Sequence, residues 1–302
     1  MMAAVRINFE TARLRLESIS PQQAADIVAG RRTTQDRWHP EYPLVDELDP
    51  LRSLAANPTP DPVFTMYMIR QACDGLAIGG FGFFGPPDDF GCVEIGYGLV
   101  PAARGGGLAT EAVQAALQVA AEHGATAVVA DTENGNQASQ RVLLKAGFVE
   151  VRRDQQATFF ARPLGSPFSP DRPAVYELDG SAINNLDDLY RLLGEAVNGP
   201  GGYFGANLDS LNDCLGGGFG TPEDRNFMVV VHGSGHALAA LGFDETVQQL
   251  ERRLAQRDPA NSRQITRELE LARRHEGPVV FDWIQAAFRE HNVIFAFDGD
   301  DS

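Results

Sequence analysis

"VEIGYGLVPAARGGGLATEA", residues 93–112, decides the fold of the first half of this 302-residue chain. Its opening residues alternate: Val93, Ile95, Tyr97 and Leu99 share one face of an extended strand, and Glu94, Gly96 and Gly98 share the other. Pro101 follows the strand, and three glycines at 105–107 lead directly into a helix. There Ala109, Ala112, Val113, Ala116, Leu117 and Ala120 recur at spacings of three and four, and Gly124 closes the pattern. Such a helix N-terminus turns unpaired N–H groups and the positive dipole end outward with no side chain blocking approach, which suits a pyrophosphate. The same glycines also fit a plain flexible turn, and neither G-x-G-x-x-G nor G-K-[ST] is present.

Working outward, "RLRLES" reads as a strand, and "SPQQAADIVAG" as a helix with Ser20 as N-cap and Pro21 in its first turn. "VFTMYMIRQ", "LAIGGFGFFG" and "CVEIGYGLV" form an antiparallel meander. After the long helix, "ATAVVADT" is a buried strand and "NGNQASQRVLLKAGF" a short helix ending at Gly147, with Phe148 folding back on it. The stretch "RRTTQDRWHPEYPLVDEL" has no periodicity that translates into a substrate, and its His39 reads as a structural or rim histidine.

"VEIGYGLVPAARGGGLATEA" followed by "NQASQRVLLKAGF", in that order and spacing, resembles the GNAT acetyltransferases, in particular their ribosomal-protein alanine N-acetyltransferase-like branch. The resemblance covers residues 5–163 and implies a mixed sheet flanked by helices, with acetyl-CoA as the cosubstrate. Arg104, Gly107 and Ala109 fall on the family's R-x-x-G-x-A signature, completed here by Gly105, Gly106, Leu108 and Thr110, whose backbone amides would bind the coenzyme A pyrophosphate. Leu99 and Val100 would meet the pantetheine arm. Asn136 and Ser139 match the family's N-x-x-S, which implies a cofactor contact and a general acid.

Acetyl transfer to an amine needs a proton acceptor for the amine and a donor for the departing thiolate. Glu94, beside two positions without side chains, is the base that the strand pattern offers, acting through water. A solvated strand face or an ion pair accounts for Glu94 equally, and helix capping or an interior hydroxyl accounts for Ser139.

"RPLGSPFSPDRP" carries four prolines without periodicity and reads as a linker, so the expected domains are 1–163 and 174–302, joined by 164–173. The second half holds 21 acidic and 10 basic residues, and most of the chain's net charge of −16 resides there. "VYELDG" is a strand and "NLDDLYRLLGEAV" a helix. In "YFGANLDSLNDCLGGG", residues 203–218, Asn207 caps a short helix with Leu208, Leu211 and Leu215 on one face and Asp209, Asn212 and Asp213 on the other. The dipole favours Asp209 in the first turn and does little for Asp213. "FMVVVHGSG" is a strand, charged and amphipathic helices follow, and "VIFAF" closes the chain as a buried strand.

This order, with "YFGANLDSLNDCLGG", resembles the barstar family of ribonuclease inhibitors, an α/β fold with a small parallel sheet. Tyr203, Gly205, Asn207, Asp209, Asp213 and Cys214 match position by position. The resemblance implies that Asp209 and Asp213 enter the cationic active site of a basic ribonuclease, the second acid being the family's known hot spot. Asn212 departs from the pattern by replacing an interface aromatic. About thirty residues around "QRDPANSRQITRELELARRHEG" exceed it, and the family's further acid falls on either Glu290 or Gln285. A barstar-like domain that no longer inhibits, and instead regulates the acetyltransferase or recruits its substrate, remains the alternative.

The whole chain excludes other classes. Its negative charge opposes nucleic-acid binding, and its longest apolar stretches are too short to span a bilayer. Cys73, Cys92 and Cys214 lack metal-ligand spacing and read as reduced thiols, and no internal repeat occurs. No basic segment leading into an apolar run opens the chain, so a cytoplasmic protein is expected, with a small molecule or a protein N-terminus as amine acceptor.

Overall fold

The computed structural model describes residues 7–31, 33, 36–165, 168–169, 171–255 and 262–297. The expected linker residues Ser166, Pro167 and Pro170, and residues 256–261 of the additional acidic-half segment, lie outside these. The chain divides into two compact units, 1–150 with 156–172, and 151–155 with 173–302.

Up to residue 163 the order is β1 (Phe9–Glu10), β2 (Leu14–Ser18), α1 (Pro21–Val28), α2 (Leu48–Ala56), β3 (Met66–Gln71), β4 (Ala77–Phe83), β5 (Cys92–Leu99), α3 (Leu108–Glu122), β6 (Ala127–Glu133), α4 (Gln137–Lys145), β7 (Val149–Arg153, divided between the units after Glu150) and β8 (Ala157–Pro163). They build one mixed sheet, β1-β2-β3-β4-β5-β6-β8-β7, in which β5 and β6 form a parallel pair. The helix α3 makes the crossover between those two strands, as a parallel connection requires. Its buried Ala112, Val113, Ala116, Leu117 and Ala120 are the positions that the periodicity selects.

Helix α1 begins with the expected cap. Ser20 Oγ accepts from the Gln23 amide at 3.1 Å, while Gln23 Oε1 accepts from the Ser20 amide at 3.0 Å. Helix α2 lies where no periodicity is read. Its Pro50 sits in the first turn, where no intrahelical N–H bond is lost, and Leu51 and Leu54 bury its inner face. The proline-rich segment is fastened at its start: Leu164 is fully buried, and the buried Arg162 donates from Nη2 to the carbonyls of Ser169 and Asp171 at 2.8 and 2.6 Å.

The second unit runs β9 (Ala174–Asp179), α5 (Leu186–Asn198), α6 (Leu208–Leu215), β10 (Phe227–His232), α7 (Ser234–Ala240), α8 (Phe243–Ala255), α9 (Ser262–Ala272), α10 (Val280–Glu290) and β11 (Ile294–Phe297). Its three strands are parallel in the order β11-β10-β9. β10 is central and apolar through Phe227–Val231, the composition expected of a strand covered on both faces. Leu189 and Leu193 of α5, Leu211 and Leu215 of α6, and Ile284 and Phe288 of α10 close the core. Helix α7 is a further element that the sequence pattern does not show. Helices α8 and α9 pack on each other through a separate small seam of Leu250, Leu269 and Ala272, with the Arg253 guanidinium 4.7 Å from the Trp283 ring centroid.

Candidate functional site

The parallel pair in the first unit is short. β5 and β6 are in register only at Cys92 with Ala127, Val93 with Val128, and Glu94 with Val129, although β5 continues to Leu99 and β6 to Glu133. Beyond Glu94 the strands part. A cavity of about 280 Å³ opens in this fork.

Residues from both faces of the sheet line the cavity. On one face, Gly80 of β4 stands opposite Gly98 of β5, and Gly82 opposite Gly96. Side chains lie over these glycines: a methyl at Gly98 would come within 2.5 Å of Leu44, and one at Gly96 within 2.9 Å of Phe84. Tyr97 points to the other face. Its Oη lies 2.9 Å from Ser139 Oγ on α4 and donates to the Ser139 carbonyl at 3.2 Å. Burial pushes the Tyr97 hydroxyl up to about 12, with the Ser139 hydrogen bond working the other way. Asn136 caps α4, its Oδ1 accepting from the Ser139 amide at 3.1 Å, so both positions of the N-x-x-S stand at this helix start.

The glycine loop supplies the anion-binding geometry. Gly107 N-caps α3 at φ +79 with no side-chain cap, leaving first-turn amides of Leu108, Ala109 and Thr110 without intrahelical partners. A Cβ at Gly105 or Gly106 would meet nothing within 4 Å, so a bulky anion has room against the backbone. Arg13 flanks the loop, donating from Nη1 to the Gly106 carbonyl at 2.8 Å while Nη2 sits 2.6 Å from Glu111. Partial burial acts upward on the Glu111 carboxyl, but hydrogen bonds from Thr11 and Arg13 together outweigh it and hold the group below its usual range. That pairing keeps an acid in the first turn of α3 tied to a cation.

The other predicted residues are placed as follows. Leu99 and Val100 are buried; the Leu99 carbonyl accepts from Arg104 Nε at 2.8 Å and the Val100 amide donates to Ile78 O at 2.8 Å, so these groups already have partners. Glu94 is exposed at the point where the strands part and does not line the cavity. Partial burial and Asp131 raise its carboxyl. Arg13, Tyr97 and Glu47 belong to the site although no motif marks them. For Glu47 a signal exists in the glycines of "GGFG" and "IGYG", because glycine inside a strand marks close approach by another group.

In the second unit, Asp209 and Asp213 of α6 are exposed, as is Tyr203 at 52%. Asn207 caps the helix, its Oδ1 accepting from the Ser210 amide at 2.9 Å. Gly205 has φ +91, and a methyl there would lie 2.9 Å from the Leu211 backbone, so this position requires glycine. Asn198 Nδ2 donates to the carbonyls of Tyr203 and Phe219 at 2.9 Å, tying together the two loops that flank α6. Asn212 is half-buried, rather than fully on the solvent face. It lines, with Asp209, Arg253, Glu268, Trp283 and Glu290, a groove of about 790 Å³ among α6, α8, α9 and α10. Of the two positions open for a further acid, Glu290 shares this groove, whereas Gln285 accepts from Arg289 Nη2 at 2.7 Å.

A mixed sheet forked between parallel strands, with an uncapped glycine turn opening the crossover helix, makes the first unit GNAT-like in fold. Residues 13–149 match the acetyltransferase (GNAT) domain family, and residues 174–276 match barstar (barnase inhibitor). The chain therefore carries a GNAT-family acetyltransferase domain followed by a barstar-family domain. It is 28% identical over 149 residues to the uncharacterized N-acetyltransferase YjdG of Bacillus subtilis (strain 168), covering 46% of this chain and 88% of the relative. Among solved structures it is similar to a ribosomal-protein-S5-alanine acetyltransferase from Vibrio fischeri, at 16% identity, 52% coverage of this chain and 96% of that one, with a TM-score of 0.39. A GNAT-family acetyltransferase from Bacillus anthracis has the same identity and TM-score, with coverage of 52% and 98%. No described helix is long and apolar enough to cross a membrane, and no described group of three or more His, Cys, Asp or Glu side chains could hold a metal ion.

Proposed function

We propose that this protein is a cytoplasmic, acetyl-CoA-dependent N-acetyltransferase, with its catalytic domain at 1–163, a linker at 164–173, and a non-enzymatic barstar-like domain at 174–302. The observation that carries the enzymatic reading is the fork between β5 and β6, with the open glycine loop at the head of α3 and a cavity lined from both faces of the sheet. Amides at the residues Gly105, Gly106, Gly107, Leu108, Ala109 and Thr110 suit the pyrophosphate, with Arg104 and Arg13 as adjacent cations. Leu99 and Val100, at the end of β5, are the residues proposed to meet the pantetheine arm, and Asn136 lines the cavity.

Acetyl-CoA supplies the acetyl group as an activated thioester. The Tyr97–Ser139 hydroxyl pair holds a proton on one face of the sheet. Because burial keeps the Tyr97 hydroxyl protonated well above neutrality, that proton is available across the working pH range. A carboxylate on the glycine-paved face takes the proton of the acceptor amine; the strand pattern supplies Glu94 for this role, although Glu94 is exposed and lies outside the cavity. Amide hydrogen exchange tests this reading: acetyl-CoA should slow exchange in 95–99, 104–110 and 130–139, and unchanged exchange there would refute it.

For the second domain, exposed Asp209 and Asp213 beside exposed Tyr203 favour binding of a basic ribonuclease, carboxylates taking the place of substrate phosphates. Gly205 and Asn207 hold the loop and cap of that helix, and Asn212 contributes at its half-buried flank. Inhibition of small basic ribonucleases by the full chain, measured across salt concentrations, tests it. Absence of inhibition at low salt would favour a regulatory or recruiting role.

A further inference from the structure

The residue inside the cavity that neither the strand pattern nor the glycine loop accounts for is Glu47. It ends a short turn of 3-10 helix at 45–47, directly before α2, and is 8% exposed. Its Oε1 meets no donor in good hydrogen-bond geometry, although the Gly80 backbone is close enough to act on the carboxyl together with the Leu44 amide. Oε2 accepts a long bond, 3.4 Å, from the Leu44 amide. Oε1 lies over the cross-strand glycine pair: a methyl at Gly80 would be 2.7 Å from it, and one at Gly98 would be 3.7 Å away. The two glycines thus make room for the carboxyl group at the edge of the fork. A carboxylate buried without a full set of donors is costly unless a ligand supplies them.

The surroundings state what that ligand is. The cavity walls include the apolar Leu44, Pro50, Met66, Phe81 and Ile95 and three acids, of which Glu47 is buried while Asp46 and Asp131 are exposed. The titratable groups around Glu47 are Asp46 on its own turn, Tyr42 before it, Tyr97 from β5 and Asp131 from β6. None of these is a cation. Arg70, which acts on Tyr42, is committed to Glu17 at 2.8 Å and to the carbonyls of Asp36 and Gly75 at 2.9 Å. A buried acid with no cation among the described residues lining its pocket is complementary to a positively charged, hydrogen-bond-donating head on an apolar stem.

We propose that Glu47, and not Glu94, receives the acceptor: the site takes a primary alkylammonium group, pairs it with the Glu47 carboxylate across the Gly80–Gly98 floor, and removes its first proton there. This rests on the acetyltransferase reading above. The Glu47 carboxyl is pushed up to about 7, chiefly by burial, which places its proton affinity close to working pH. Over the whole reaction an ammonium and a thioester become an amide, a thiol and one proton. Glu47 holds that proton until it leaves to water.

The test is calorimetric titration of n-butylammonium chloride into the full chain saturated with coenzyme A, for wild type, Glu47→Gln and Glu94→Gln, with coenzyme A affinity measured separately for each. The expected result is saturable amine binding that Glu47→Gln weakens at least tenfold, that Glu94→Gln leaves within about twofold, and that disappears in wild type as the solution is acidified well below the Glu47 midpoint. Coenzyme A affinity should be equal in all three. Absence of saturable amine binding in coenzyme A-loaded wild type, or equal binding by Glu47→Gln, overturns the proposal while leaving the cofactor site intact. Loss of coenzyme A binding in wild type overturns the acetyltransferase reading instead. A cooperative thermal transition in Glu47→Gln at or above that of wild type shows that lost binding is not lost folding.

Discussion

Tyr97 Oη and Ser139 Oγ lie 2.9 Å apart, joining the strand β5 to the helix α4 across the fork in the sheet. This bond couples two segments that share no ladder hydrogen bonds at that level, because β5 and β6 cease to pair after Glu94. It also sets one proton between two hydroxyls beside the cavity. Tyr97→Phe and Ser139→Ala should each lower kcat by about 10²-fold, the lower range for positioned proton donors. KM for acetyl-CoA should change less than about threefold, since neither hydroxyl belongs to the glycine loop. The double variant should fall little beyond either single one, because the two groups act together. Additive losses measured by steady-state kinetics would show that they act separately.

The glycine loop makes a separable prediction. Gly106 has no left-handed backbone, and a methyl there would meet nothing in the free protein. Gly106→Ala should therefore leave the thermal transition within about a degree and weaken coenzyme A affinity about tenfold, or roughly 1.4 kcal/mol. Gly107→Ala adds a left-handed alanine at φ +79 and should lower stability as well, by about 1 kcal/mol. Fluorescence-monitored melting with and without coenzyme A distinguishes the two.

Glu47 gives the protein a pH-dependent stability. Its carboxyl titrates at the ordinary carboxyl value in the unfolded chain and near 7 when folded, so the folded state binds more protons between those two values. Stability must then fall as pH rises through that window, with the penalty complete above about pH 7. Glu47→Gln removes the penalty. The variant should be more stable than wild type by up to roughly 3 kcal/mol at about pH 8 and equal to it near about pH 4, as read from urea denaturation. A variant less stable than wild type in the alkaline range would mean that the carboxylate is satisfied in the folded protein.

On the acidic helix, Asp213 is exposed and lies past the first turn of α6, whereas Asp209 sits within it. Asp213→Ala should leave stability within about 0.5 kcal/mol, and Asp209→Ala should cost about 0.3–1 kcal/mol through the lost dipole interaction. If a basic ribonuclease is the partner, both should weaken binding by more than about tenfold at low salt, and the wild-type affinity should fall steeply with added salt.

The pattern at 93–122 specified β5, the loop and α3 because each element there follows its own local rule, alternation, glycine and 3.6-residue periodicity in turn. The same holds for α6, whose Leu211 and Leu215 face the core. For Glu47 the opposite holds: the strand glycines signal that some group approaches, but not which one. Glu47 stands in an aperiodic segment, and its position over Gly80 and Gly98 comes from tertiary packing between segments far apart in the chain. Helix α7 was hidden by its shortness and by the glycines in "HGSGHALAAL", and Tyr97 by an alternation that marks it as core although its hydroxyl reaches Ser139. Asn212 looks polar and outward in a helical wheel, yet α10 packs beside α6 and the neighbouring groove leaves it half-buried.

Acetyl-CoA binding at the glycine loop underlies every enzymatic step above, and isothermal titration of acetyl-CoA into the full chain measures it. One saturable site per chain is expected, weakened about tenfold by Gly106→Ala and unchanged by Asp213→Ala. Absence of saturable heat from the wild-type protein, or equal binding by the Gly106→Ala variant, would show that the loop is not the cofactor site.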